Sequence, residues 1–324
     1  MQTFCARSIL VLLTAAVCWA NPGHSQEWPV RPVKIVVPFA PGGNADSIAR
    51  IVGQQLGEAF GQPVVIENRP GATGVIAAEM VARAPADGYT LLLASLPLID
   101  IVPAMSKTSF DPLKDFAPIS VIATNALVLV VNPSLPVRSV SDLVSYAREQ
   151  RGQLSYAAAG VGSMTHLGMV LLLKRAGVEM TPIMYKGGAA MLTDTIAGHV
   201  KVYVSNVSTL VPYADSDLLR LLAVTSRQRV PALPRVPTLM EAGFPGFEVL
   251  NWTGLMAPAG TPATVVDRVA REVSRAVKQP KTSTLLNAAG VDPLGNTPDE
   301  FAAMIAAEIP LWAEAVKIAG IREK

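Results

Sequence analysis

Two short glycine-bearing segments carry the residue types needed to hold an anion. In the first, Pro38-Phe-Ala-Pro-Gly-Gly-Asn-Ala-Asp46, the candidate contacts Phe39, Ala40, Pro41, Gly42, Gly43 and Asp46 follow a β-branched apolar run. In the second, Ala157-Ala-Ala-Gly-Val-Gly-Ser-Met-Thr-His166, Gly160 and Gly162 precede Ser163, Thr165 and His166. Glycine lets the backbone turn tightly and approach a ligand closely. A helix that starts there offers unpaired N–H groups and partial positive charge. Each helix end contributes ~0.3–1 kcal/mol toward an anion when exposed and up to ~2 when partly buried. Each hydrogen bond to the charged group adds ~1.5–3 kcal/mol. Two such ends facing each other suit a carboxylate or dicarboxylate without any arginine. The alternative for Gly42-Gly43 is a plain strand-to-helix turn.

Other chemistry is weaker in this sequence. Gly160-x-Gly162-x-x-Thr165, with Glu179 further on, nearly matches the dinucleotide fingerprint; the third glycine, which permits close helix–strand packing, is replaced by threonine. Ser163 and His166 stand too close in sequence for a relay, and G-x-S-x-G is absent. His199 suits a helix C-terminus. No His/Asp/Glu cluster has metal-ligand spacing, and no carboxylate pair stands out for acid–base work. The expectation is therefore a binding protein with no catalytic residue, metal or cofactor. Trp252 is read as core, with a cleft wall as its other role.

The elements that must position these segments alternate. Val33–Phe39 reads as a buried strand, followed by a turn and a helix over 45–60, with Asn44 as N-cap and Gly61 as stop. Strands are expected at 63–67 and 89–94, with a helix from 71–74 to about 83 between them. This β-α-β-α-β order argues for a parallel sheet covered by helices. After the Pro- and Asp-rich stretch 109–118 the alternation restarts: strands at 127–132, 154–159, 182–185, 200–204 and 218–225, helices at 141–150, 164–175 and 189–197. The tail is helical over 262–277, 281–289 and 298–318, with Pro310 expected to kink the last helix. These tail helices have no sheet of their own, so they are expected to pack back on the first unit. The fold class is thus α/β with two lobes, each a central sheet flanked by helices. Residues 27–126 plus 227–324 form one lobe and 127–226 the other, with a two-crossing hinge near 127–132 and 222–226.

The bulk of the sequence is consistent with this. Of 324 residues, 50% are hydrophobic and 16% charged, enough apolar material for two cores and too little charge for a disordered chain. The formal charge of +2 comes with dispersed Lys and Arg, so no nucleic-acid partner is expected. Residues 1–25 read as a cleaved signal peptide with an apolar stretch Ser8–Ala20, shorter than a spanning helix. Both cysteines, Cys5 and Cys18, fall in that segment. The mature protein is expected in the periplasm, without disulfides, as a monomer.

These residues also carry a resemblance. From Trp28 to about Val316 the chain resembles the tripartite tricarboxylate transporter substrate-binding family, or Bug receptors. The matching motifs include Pro29-Val-Arg-Pro-Val-Lys-Ile-Val-Val-Pro-Phe39, Pro41-Gly-Gly-x-x-Asp46, Gly61-Gln-Pro-Val-Val-Ile-Glu-Asn-Arg-Pro-Gly71 and Ala84-Pro-Ala-Asp-Gly-Tyr-Thr-Leu-Leu-Leu93. Tyr185-Lys-Gly-Gly188, Pro231-Ala-Leu-Pro-x-Val-Pro-Thr238 and Gly254-Leu-Met-Ala-Pro-Ala-Gly-Thr-Pro262 extend the match in order. The resemblance implies a type II periplasmic-binding-protein fold whose lobes close on a small organic acid. It also implies delivery to integral-membrane transporter subunits; a sensor feeding a signalling partner, or an exported nucleotide-binding enzyme, are the alternative readings. Two departures stand out. The family's Asp-x-x-x-Asp strand reads Lys201-Val-Tyr-Val-Ser205 here, and Ser205 removes the counter-charge an amino-acid ligand's amine would need. The family's small polar loop is replaced by Ala94-Ser-Leu-Pro-Leu-Ile-Asp100, which places Ser95 and Leu96 at the site. Leu96, Leu98 and Ile99 then form either an apolar floor favouring an aromatic or branched carboxylate, or part of the core.

Overall fold

The computed structural model describes residues 28–321; the signal-peptide reading over 1–25 lies outside them. Ten strands form one continuous sheet with the order β2-β1-β3-β9-β4-β7-β5-β6, to which β8 and β10 add beside β4. The expected α/β class holds. In the first half, β1 (Val33–Val37), β2 (Val64–Asn68) and β3 (Thr90–Ser95) are parallel. The helices α1 (Asn44–Phe60) and α2 (Val75–Ala82) cross between them. In the second half, β5 (Ser155–Ala158), β6 (Thr181–Met184) and β7 (Val202–Asn206) are parallel. They are joined by α5 (Met164–Ala176) and α6 (Gly188–Ala197), and α4 (Val140–Gln150) leads into β5. The 16-residue β4 (Phe116–Val131) runs through both halves. Its first part pairs with β9 (Leu250–Pro258), its last part with β7 and β8 (Arg220–Val224).

The register fixes where the loops meet. β9 is antiparallel to both β3 and β4, so β3 runs in the direction of β4. β7 and its parallel neighbour β5 run against β4. The C-terminal ends of the two parallel sets therefore point toward each other along β4. Through β9, Ser95 stands level with Ala123, while Asn206 pairs with Leu127. Four residues of strand separate those levels, about 13 Å.

Three helical elements complete the packing. α8 (Ala263–Lys278) buries Val265, Val266, Val269, Ala270, Val273 and Val277, a helical-period stripe, against α1 and β4. Full burial of each such valine is worth ~1.5–3 kcal/mol. After α9 (Pro280–Ala288) and the two-residue β10 (Asp292–Pro293), α10 (Pro298–Ile318) starts with a capping box between Thr297 and Glu300. α10 lies across β4 and α5. The segment after β3 was read as loop but is helical: a π-turn over Pro97–Ile101 continues into α3 (Val102–Met105). The short α7 (Val207–Leu210) follows β7 directly.

Candidate functional site

The first glycine segment leaves β1 and enters α1. Gly43, not the expected Asn44, occupies the N-cap, with no side-chain cap, and Asn44 is the first helical residue. The cap stays missing, and a first-turn side chain braces the preceding loop instead. The buried Asp46 carboxylate accepts the Gly42 N–H at 3.0 Å, the Arg50 Nε–H at 2.9 Å and the Asn68 amide at 2.9 Å. Asn68 also donates to the Phe39 carbonyl at 3.0 Å, tying β2 to the loop. The Arg50 guanidinium outweighs burial and, with the Gly42 and Asn68 bonds, holds the Asp46 pKa down at about 2. Asp46 is thus a scaffold whose oxygens are already taken. Phe39 to Gly43 are exposed around it. The N–H groups of Gly43, Asn44 and Ala45 find no acceptor among the described residues.

The second segment leaves β5 and enters α5, with Ser163 as N-cap accepting the His166 N–H at 3.2 Å. Thr165 Oγ1 accepts the Ala159 N–H at 3.0 Å and lies 3.1 Å from Ser163 Oγ. One hydroxyl proton joins that pair, which leaves the other free to point outward. His166 Nδ1 accepts the Gly162 N–H at 3.2 Å, so the proton of the neutral ring belongs on Nε2. The ring is 4% exposed and stacks on Tyr156; burial pushes its pKa down. His166 therefore fastens the loop as a neutral acceptor. Gly162 has φ +76°, and a Cβ there would lie 2.3 Å from Met105 of α3. Gly160, at φ +107°, faces open space. The Met164 and Thr165 N–H groups find no acceptor among the described residues.

The remaining candidates divide. Ser95 ends β3 with its hydroxyl buried and unpartnered. Leu96, Leu98 and Ile99 are each 0% exposed within the main core. Packing, not an apolar floor, is their role here. Ser205 is buried on β7 opposite Val128. Trp252 is core, its ring edge-on to Phe301.

The dinucleotide reading finds no support in this geometry. Met105 covers Gly162, where a pyrophosphate would have to approach, and Thr165 turns back to its own loop. Glu179 lies beside Gly152, before β5, at the far end of that strand. A groove of about 870 Å³ runs along α5 past Tyr156, Leu173 and Met180 and meets the candidate loops only at His166. Among the described residues no cluster of three His, Cys, Asp or Glu could hold a metal, and no helix is long and apolar enough to cross a membrane.

Sequence reasoning missed Arg50, Asn68 and Met105. The four-residue spacing of Asp46 and Arg50 was a usable signal for the first. Asn68, the last residue of β2, was visible only as part of the Gly61–Gly71 motif. Nothing in the sequence points to Met105.

Residues 48–321 match the family model described as the tripartite tricarboxylate transporter family receptor. Protein BugT of Bordetella pertussis is 34% identical over 319 residues, which cover 98% of this chain and 98% of BugT. Among solved structures, R. palustris Rpa4515 with adipate aligns at 39% identity and TM-score 0.72, over 92% of this chain and 100% of that one. MatC (Rpa3494) from Rhodopseudomonas palustris with bound malate aligns at 34% identity and TM-score 0.68, over 89% of this chain and 99% of that one.

Proposed function

Because the chain belongs to the tripartite tricarboxylate transporter receptor family, a family of binding receptors and not of enzymes, we propose that it captures a small organic carboxylate where its two strand-to-helix junctions face each other. One observation carries this reading. Both junctions keep spare backbone N–H groups at a helix start, and the second adds a spare hydroxyl, while the nearby Arg50 is already tied to Asp46. Such donors favour an anion and need no counter-cation. The adipate and malate bound by the two relatives point to a dicarboxylate, and the strand-end spacing of about 13 Å suits a short one.

In this proposal residues 27–126 plus 227–324 and residues 127–226 are lobes that close on the ligand, with hinges near 127–132 and 222–226. Thr225 lies at the centre of that hinge: its Oγ1 accepts the Leu127 N–H at 2.9 Å and donates to the Val249 carbonyl. The ligand touches both junctions only in the closed form, so its extra contacts shift the population toward closure. The protein works in the periplasm, exported by residues 1–25, and hands its ligand to integral-membrane subunits.

The test is calorimetry and thermal unfolding of the mature protein, stripped of endogenous ligand, against adipate, malate, aspartate and NAD. A bound dicarboxylate at 100 times its Kd adds about 2.7 kcal/mol of stability. Aspartate is expected to bind more weakly, since Ser205 offers its amine no counter-charge. Binding of NAD with no response to either dicarboxylate would overturn the reading.

A further inference from the structure

Asp100 is 1% exposed in the π-turn after β3, and neither of its carboxyl oxygens has a donor. Its carboxyl lies against that of Glu308 on α10. Glu308 in turn accepts the Trp252 indole N–H, from β9, at 2.8 Å. Two carboxyls in contact, one of them without a donor, are satisfied by a proton between them. Burial, followed by the like charge of Glu308, pushes the Asp100 pKa far above the usual carboxylate range, against the opposing pull of the nearby Trp252 indole N–H, whose hydrogen bond goes to Glu308. Burial also raises Glu308, but its bonds to Asp100 and Trp252 oppose the shift. The proton thus belongs to the pair, whose Glu308 also accepts from Trp252. Other charges around the pair are few. Asp100 is the only ionisable side chain between Ser95 and Met105. The loop before β9 brings Glu248, which is paired with Arg227 at 2.7 Å. The ion pair of Glu314 on α10 with Lys174 of α5 has half-exposed side chains.

The location gives the pair its consequence. Asp100 sits midway along a segment that begins at Ser95, whose unpartnered hydroxyl ends β3, and ends at Met105, which covers Gly162. α10 packs along this segment. We propose that Asp100 and Glu308 share one proton and act together as positioning residues, setting the Ser95–Met105 segment against the Gly160–Ser163 loop and so coupling ligand capture to that proton. The coupling to ligand rests on the carboxylate-site reading; the shared proton does not.

Loss of the proton leaves two buried like charges, which push the turn off α10. A raised carboxyl pKa means the folded state holds a proton that the unfolded state has released. Stability is then full below the unfolded value of about 4 and falls as pH rises toward the folded value. The decisive measurement is amide hydrogen exchange in peptides spanning 95–105 of the full-length mature protein, at about pH 6 and about pH 9, corrected for intrinsic rates. The native protein is expected to lose protection there roughly tenfold or more. Asp100→Asn is expected to hold it, because its amide donates to Glu308 without a titrating proton. Glu308→Gln, which removes the like charge, serves as the second variant and is expected to lessen the loss. Equal pH profiles for the native protein and Asp100→Asn, or a loss spread evenly over the molecule, would overturn the proposal. In parallel, adipate affinity is expected to fall between the same pH values in the native protein and to stay level in Asp100→Asn. If adipate binds at neither pH, the carboxylate reading fails, and the exchange profile still decides the shared proton.

Discussion

The two glycine junctions present the same kind of surface, a helix start with spare N–H groups, yet they are held by opposite chemistry. The first is braced by charge: Asp46, Arg50 and Asn68 pin an exposed loop from below. The second is braced by neutral groups: Ser163, Thr165 and a buried His166 close the loop on itself, and Met105 fills the space over Gly162. An anion site can be preorganised in either way, provided the bracing groups spend their own polar atoms and leave the outward N–H groups alone. The difference predicts different sensitivities. The charged brace should tolerate added bulk and respond to charge removal; the neutral, packed one should do the reverse.

Added bulk is the harsher test. Gly162→Ala combines a left-handed φ with a methyl group driven into Met105, and is expected to cost about 3 kcal/mol in urea unfolding. Gly42→Ala has a similar φ, +83°, with nothing within 4 Å of the new methyl, so only the backbone term of about 1 kcal/mol remains. Adding Met105→Ala to Gly162→Ala should recover part of the loss. Equal costs at the two glycines would mean that Met105 does not constrain the second loop.

Charge removal should reverse the ranking. Asp46→Ala strands the Gly42 N–H and the Asn68 amide and is expected to cost about 2 kcal/mol. His166→Asn, whose Oδ1 can still accept the Gly162 N–H, should cost less than half of that. The two braces should also separate on acid titration. The lowered His166 pKa makes stability fall once pH drops below the unfolded histidine value of about 6.5. The lowered Asp46 pKa holds its contribution down to about 4 and releases it as pH falls through about 2. His166→Asn is expected to flatten the first decline and leave the second, as read by melting temperature against pH. A profile unchanged by His166→Asn would place that ring outside the brace.

How much of this was legible in the sequence depended on whether local and tertiary signals agreed. Val33–Val37 was readable because a strand buried between β2 and β3 needs a nearly continuous apolar run, broken here only by Lys34. α5 was readable because Gly160 and Gly162 mark the turn before it. β9 went unread: Gly254 and Pro258 dilute its pattern, and what holds it is pairing with β3 and β4, far away in sequence. The start of β4 was hidden by Pro118, which the sheet accommodates next to a register shift. The segment Ala94–Asp100 was expected as a loop, yet Pro97 stands at a helix start within it. At the site, spacing picked out Asp46 and His166 but not the bonds they make within their own loops, since it cannot tell whether a polar side chain turns toward a ligand or back to its own loop. Met105 had no signal because its role exists only through contact across the fold.

The smallest expected effect tests the absent cap of α1. Ser163 caps α5 with its side chain; Gly43, in the equivalent place, caps α1 with none. Its backbone is ordinary extended chain, φ −79° and ψ 172°, and a Cβ there would meet nothing closer than the Ala40 carbonyl at 3.7 Å. Nothing steric requires glycine at that position. Gly43→Ser should therefore supply the missing cap and stabilise the protein by a few tenths of a kcal/mol. The same hydroxyl would occupy the N–H groups of Ala45 or Asp46 and crowd the approach to them. If those groups hold the ligand, the variant melts slightly higher and binds adipate more weakly. A variant that gains stability and keeps full affinity would mean that the first junction does not contact the carboxylate, and that the ligand is held by the second junction alone.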